Sequence, residues 1–425
     1  MEGIIDILIL KALSNRKRFI SLRSAVPNDM VSADTQAMLA WFSMYFSTFP
    51  DRENIDLHEL AELVKLRSGG QGQEQIALTL HLVQQLQVPV AAESLQGILA
   101  QLQELDLAGR AGAVIARYNS GEEVELSFEL QNMASQTRRS IAEGGKASWA
   151  DADIGKYLAM ENDEGGLQWS MFPVLENRLK GVRPGINIAV AAPTDQGKTS
   201  LLCYLAAGFA KQAHELHPGR PLLYLVNEGT QERITVRMYQ TVLQCTMDEL
   251  QKFNEEGTLL DRYAAVLHKR DAIRVANIHG KNLAQVEDLI GRHNPYMVIT
   301  DMTGRIRSMT NKGGMNDISQ LEDVWNSIRE MTVIQDFAHI GTVQVSAEGF
   351  DMLYPPLSAM QNSKTGIQTT LDLCLMMGAL NNPEAAKLRG LSTPKNKLGR
   401  SGCTAQNQVQ MYFDPTRNSW DMGTV

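Results

Sequence analysis

Cysteine is scarce in this chain of 425 residues. Only four are present, Cys203, Cys245, Cys374 and Cys403, far apart and with no C-x-x-C pair. That spacing excludes a zinc ribbon and speaks against a disulfide scaffold, so a reducing, cytoplasmic setting is expected. Long apolar runs are lacking too, and no stretch reaches transmembrane length. The N-terminal Ile4–Leu10 segment is apolar but short, and Glu2 and Asp6 precede and interrupt it. Without a basic start or a small-residue cleavage site it is not a signal peptide; it reads as a packed or partner-facing helix, and no membrane partner is expected. Positive charge is not in excess either. The net charge of −8 excludes a surface that is basic throughout, while leaving room for a narrow basic channel that holds nucleic acid. There is no internal repeat.

What remains is ordinary globular composition, 44% hydrophobic and 21% charged, over a length that suits two or three domains. Residues 1–125 read as a helical domain. Thr35–Phe46 and Glu74–Leu86 carry apolar residues at helical spacing, as does Glu93–Leu107, and Asp56 is placed to cap the helix that follows it. Residues 126–165 are polar and charged, with a possible helix through Phe128–Ala134, and read as a linker. From 166 to 425 strands and helices alternate, which implies an α/β domain with a parallel sheet and crossover helices. Its strands are expected at Asn187–Ala192, Leu222–Val226, Ile273–Ile278, Met297–Thr300, Gly341–Ser346 and Leu371–Met376. A final pair, Gln408–Phe413 and the segment around Trp420, flanks a hairpin-like turn.

The chemistry concentrates around Ala192-Pro-Thr-Asp-Gln-Gly-Lys-Thr-Ser200, which lies between an apolar strand and a helix. This is the layout of a P-loop, with Ala192 in place of the usual first glycine. Gly197 lets backbone N–H groups close around a polyphosphate, Lys198 supplies a point charge, and the Thr199 hydroxyl, followed by Ser200, can ligate Mg²⁺. ATP or another NTP with Mg²⁺ is therefore the expected cofactor set. About a hundred residues on, Tyr296–Asp301 is an apolar strand closing on an aspartate, a Walker B pattern whose carboxylate would hold the Mg²⁺ shell. The strand ending at Glu228 offers a carboxylate to orient and deprotonate the attacking water, since Asp301 is followed by Met302 and not by a glutamate. The basic stretch Pro394–Gly402 reads as a loop whose cations could reach a γ-phosphate, in its own site or a neighbour's.

Together these residues resemble the DnaB family of replicative helicases, in the form found in bacteriophages. The most specific portion runs through Gly166-Leu-Gln-Trp-Ser-Met-Phe-Pro-Val-Leu-Glu176 and Leu179-Lys-Gly-Val-Arg-Pro-Gly185 into the P-loop. The resemblance implies a RecA-like ATPase domain preceded by an all-α collar, assembled as a ring, in all expectation a hexamer. Such a ring translocates 5′→3′ on single-stranded DNA in the host cytoplasm, with a primase, a helicase loader or other replisome proteins as partners. It implies Glu228 and Asp301 in the roles given above. It also places a basic stretch at Lys395 and Lys397, with the trans-acting finger position at Lys397. Arg400 is the better clamp on chemical grounds, because its planar fork can bind two oxygens, so Arg400 is the expected finger with Lys397 as its helper. Arg305 and Arg307 after the Walker B strand, and Lys364 in Asn362–Gly366, are the expected DNA contacts. One departure stands out: the family usually has Gln or His after Ser346 to sense the γ-phosphate, and here it is Ala347, with Gln344 as a substitute. The competing expectation is a RecA-fold binding, recombination or helicase-loading ATPase that does not unwind DNA.

Overall fold

A computed structural model describes residues 4–26, 31–68, 73–127, 129–130, 133–134, 137, 153–160, 165–308, 317–361 and 366–422. The chain divides into two compact units, Met1–Ala150 and Asp151–Val425.

The first unit, where described, is built from helices and no extended strand: α1 (Ile4–Ala12), α2 (Arg16–Leu22) with a 3-10 turn after it, α3 (Ala33–Thr48), α4 (Leu57–Arg67), α5 (Gln73–Gln85) and α6 (Ala92–Asn119). Its core gathers around Met38, Phe42 and Tyr45 of α3, with Leu10 and Leu13 beside them. The apolar N-terminal segment is thus a packed helix. Its Asp6 is buried because it accepts hydrogen bonds from the Ser32 backbone N–H and the Thr35 hydroxyl at the start of α3. Asp56 caps α4 as expected, accepting from the N–H groups of His58 and Glu59. Helix α6 continues well past Leu107, through two glycines that each cost a helix only about 1 kcal/mol.

The second unit is a nine-stranded, RecA-like sheet. After α7 (Ile154–Met160) and α8 (Pro173–Glu176) come β1 (Asn187–Ala192), α9 (Lys198–Leu216), β2 (Leu222–Val226), α10 (Gln231–Leu243), α11 (Met247–Glu255), α12 (Leu259–Leu267), β3 (Ile273–Asn277), α13 (Leu283–His293), β4 (Met297–Asp301), α14 (Asp317–Ile334), β5 (Ala338–Gln344), α15 (Gly366–Thr370), β6 (Leu373–Gly378), β7 (Leu388–Asn396), β8 (Gln408–Asp414) and β9 (Ser419–Asp421). The order is β3-β2-β4-β5-β1-β6-β7-β8-β9, parallel from β3 to β6 and antiparallel thereafter. Alternate residues of each central strand face opposite layers. Ile188, Val190 and Tyr224 pack with α9 and α10, while Leu223, Leu225 and Val298 pack with α13 and α14. Both faces are covered, which is why β1 and β2 read as unbroken apolar runs.

One expectation is corrected here. Residues 394–396 of the basic stretch belong to strand β7, and the loop proper begins at Lys397. The strand admits Pro394 because the register between β6 and β7 slips by one residue there, and a bulge tolerates the missing N–H. The segment before the P-loop is folded into the unit. Leu167 and Val182 exchange backbone hydrogen bonds, and buried Trp169 donates its ring N–H to the Lys180 carbonyl at 3.1 Å.

Candidate nucleotide site

The site forms where β1, β2, β4 and β5 end, at the carboxyl edge of the parallel strands, the usual place for ligands in such sheets. Gly197 holds φ +97°, a left-handed conformation, and a Cβ there would come within 3.4 Å of the Trp420 ring. Glycine is therefore required by the backbone, while the aromatic ring at that distance would be an ordinary van der Waals neighbour. Helix α9 opens at Lys198, so the unpaired N–H groups of its first turn face the loop and bring the positive end of the helix dipole with them. Ala192 is fully buried at the end of β1, and Ser200 is buried at the cavity wall.

Asp301 lies opposite, fully buried. Its Oδ2 accepts the Thr199 hydroxyl at 2.8 Å and the Tyr224 hydroxyl at 3.1 Å. Its Oδ1 is buried and has no hydrogen-bond partner among the described residues. Burial raises the Asp301 pKa, against the pull of Thr199, Tyr224 and Lys198. Burial likewise lowers that of Lys198, against Asp301 and Glu228. Both charges are thus held under strain by desolvation, and a bound cation and polyphosphate would relieve them. One open carboxylate oxygen beside a threonine hydroxyl, 102 residues away in sequence, is a donor set that fits Mg²⁺, whose remaining positions are taken by water and phosphate.

A cavity of about 590 Å³ opens in front of these groups. Its walls include Asp195, Lys198, Thr199, Glu228, Arg233, Arg237, Gln344 and Arg389. Glu228 lies two residues past the end of β2, and its Oε1 accepts from the Arg305 guanidinium at 3.2 Å. Gln344, the last residue of β5, reaches the cavity, whereas Ala347 is not among its lining residues. From β7, two strands from β1 in the sheet, Arg389 donates through Nε to the Gln196 carbonyl of the P-loop at 3.0 Å. Arg389 and Tyr224 carried no signal in the sequence. Each belongs to a strand whose place beside the P-loop depends on the sheet order.

The basic residues of the β7 end lie elsewhere. Lys397 projects to the surface with Nζ 3.5 Å from Asp372 Oδ1, and Lys395 bonds the Gln368 carbonyl. Arg400 is engaged within its own chain, with Nε on the Leu179 carbonyl at 3.0 Å and a terminal nitrogen on Gln168 Oε1 at 2.9 Å. Arg307 is exposed while its backbone pairs with the start of α13. Lys364 lies outside the described residues.

A family model described as an AAA domain matches residues 156–348, which spans the P-loop, Glu228 and Asp301. No curated protein matches the sequence. Among solved structures, a DnaB-like replicative helicase, described together with its interactions with primase, aligns over 98% of both chains with a TM-score of 0.59 at 13% identity. The chain has the DnaB-like helicase fold. A second solved structure, an ATPase domain on its own, aligns over 64% of this chain and 99% of its own length, with a TM-score of 0.52 at 15% identity. The all-α N-terminal part and the nine-stranded sheet both fall within the first alignment.

Proposed function

We propose that this protein is an ATP-dependent replicative DNA helicase, a ring-shaped hexamer that translocates 5′→3′ on single-stranded DNA in the cytoplasm of its host. The observation that carries the reading is the bridge from Thr199 to the open carboxylate of Asp301, with Glu228 on the same cavity. Lys198 and the α9 N-terminus hold the phosphates, while Thr199 and Asp301 hold Mg²⁺. Bound there, Mg²⁺ would offset charge on the phosphoryl oxygens. The Glu228 carboxylate orients the attacking water and takes its proton. Gln344 stands in for the γ-phosphate sensor that Ala347 cannot provide. Arg400 is the finger that reaches a neighbouring protomer's site, with Lys397 as its helper. Within the single chain Arg400 bonds Leu179 and Gln168 and Lys397 pairs with Asp372, partners that both would exchange on assembly.

Arg305, Arg307 and Lys364 contact the strand through its phosphates. The likeness to a helicase described with primase supports a primase or loader as a partner. The alternative, a loading or recombination ATPase without unwinding, is favoured by one observation, the alanine at the usual sensor position.

The test is a pair of substitutions assayed for nucleotide binding and turnover. Lys198→Ala should lose ATP binding and hydrolysis together, because it meets the ground-state phosphates. Glu228→Gln should bind ATP within a few-fold of wild type and lose turnover by about 100-fold or more. Robust hydrolysis by Glu228→Gln would move the base elsewhere, with Glu232 next in line.

A further inference from the structure

Arg305 has two anionic claimants. Its guanidinium is paired with Glu228 at 3.2 Å, and both side chains are substantially exposed, 53% and 38%. It sits on a short turn, Thr303–Arg305, that the protein anchors firmly. Thr303 is fully buried; its hydroxyl accepts the Thr342 N–H at 3.1 Å and shares a 2.6 Å hydrogen bond with Thr300. Ile306 is buried on the other side. The turn is fixed, and the Arg305 side chain extends from it with more than half of its surface exposed. Glu228, just beyond β2, lines the cavity together with Lys198 and Thr199.

We propose that Arg305 is a positioning residue for Glu228. The ion pair holds the carboxylate away from the attacking water, and single-stranded DNA phosphate competes for Arg305 and releases Glu228 to act as base. This rests on the function proposed above. The chemistry supports an exchange of partners. A guanidinium binds phosphate and carboxylate with the same two-pronged geometry, so a strand laid along this loop offers a direct substitute for Glu228. Magnitude argues for a latch and not a lock. An ion pair this exposed shifts an equilibrium by up to about five-fold, enough to slow turnover and weak enough for a phosphate to break.

The experiment measures ATP turnover with and without oligo(dT) for the full chain, its Arg305→Ala and Arg305→Lys variants, and Glu228→Gln as control. Folding is checked by thermal melting. Arg305→Ala should raise DNA-free kcat about two- to five-fold with KM for ATP within two-fold of wild type, and DNA stimulation should fall by the same factor. Arg305→Lys, keeping the charge without the fork, should fall between. The proposal is overturned if DNA-free kcat is unchanged, or if wild-type turnover is indifferent to oligo(dT). It is also overturned if kcat drops in Arg305→Ala, the sign expected of a residue that touches the γ-phosphate. Should Arg305→Ala fail to melt cooperatively, Arg305→Gln replaces it and is judged by the same criteria. Turnover in Glu228→Gln equal to wild type would instead overturn the assignment of the base, and is read separately.

Discussion

Behind the Walker B aspartate, His339 of β5 is fully buried with its ring edge toward Trp325. Asn187 donates its amide N–H to the Thr370 carbonyl, which turns its Oδ1 toward His339 Nδ1 at 2.8 Å. An oxygen can only accept there, so Nδ1 carries the proton, and Nε2 accepts from the Thr300 hydroxyl at 2.9 Å. The ring is neutral and has no place for a second proton; burial pushes its pKa down to about 3. The sign of the consequence follows. Between the ordinary imidazole value near 6.5 and about 3, the unfolded chain binds a proton that the folded one refuses. This site therefore leaves stability undiminished above about pH 6.5 and lowers it by up to ~1.4 kcal/mol per pH unit below. His217, also shifted down by burial, adds to the same slope. The melting midpoint of the wild type should fall more steeply from pH 7 to 5.5 than that of His339→Gln. Parallel slopes would show that His339 does not carry the effect.

Elements differ in how plainly the sequence announces them. Strands β1 and β2 appear at the expected bounds, because continuous apolar runs flanked by turn residues have few other readings. Helices α11 and α12 were not expected, although Thr246 and Glu249 form a capping box at the start of α11, a signal present in the sequence. At its other end α12 closes on His268 in a left-handed conformation, where a glycine would have been the usual marker. Strand β7 was hidden for a different reason. Gly390 and Pro394 both argue against a strand taken locally, yet Gly390 is needed because the Leu353 carbonyl passes where its Cβ would be. Long-range packing chose those residues, and a local pattern does not display it. The same strand carries Arg389, which braces the P-loop through Gln196. Arg389→Ala would leave that carbonyl without its charged donor, an interaction worth roughly 1.5–3 kcal/mol. KM for ATP should rise about ten-fold or more with a smaller change in kcat, measurable by steady-state ATPase assay. An unaltered KM would mean that the loop holds its shape without the brace.

At the scale of the whole molecule, charge and assembly are the features that the sequence left least legible. A net charge of −8 hides the fact that three arginines, Arg233, Arg237 and Arg389, share one cavity with Lys198. Arg233 and Arg237 stand one turn apart on α10, and Lys198 and Arg389 join them only through the sheet order. The Thr199–Asp301 pair was readable because each half sits in a recognisable local pattern; the pairing of Glu228 with Arg305 was not, since neither sequence context implies the other. The central claim is that ATP turnover at this site moves the protein along single-stranded DNA. Strand displacement on a forked DNA with a free 5′ tail, with ATP and Mg²⁺, tests it most directly. The account predicts ATP-dependent release of the displaced strand by the wild type and none by Lys198→Ala. Steady ATP hydrolysis stimulated by single strands, with no displacement from forks of either polarity, would contradict it.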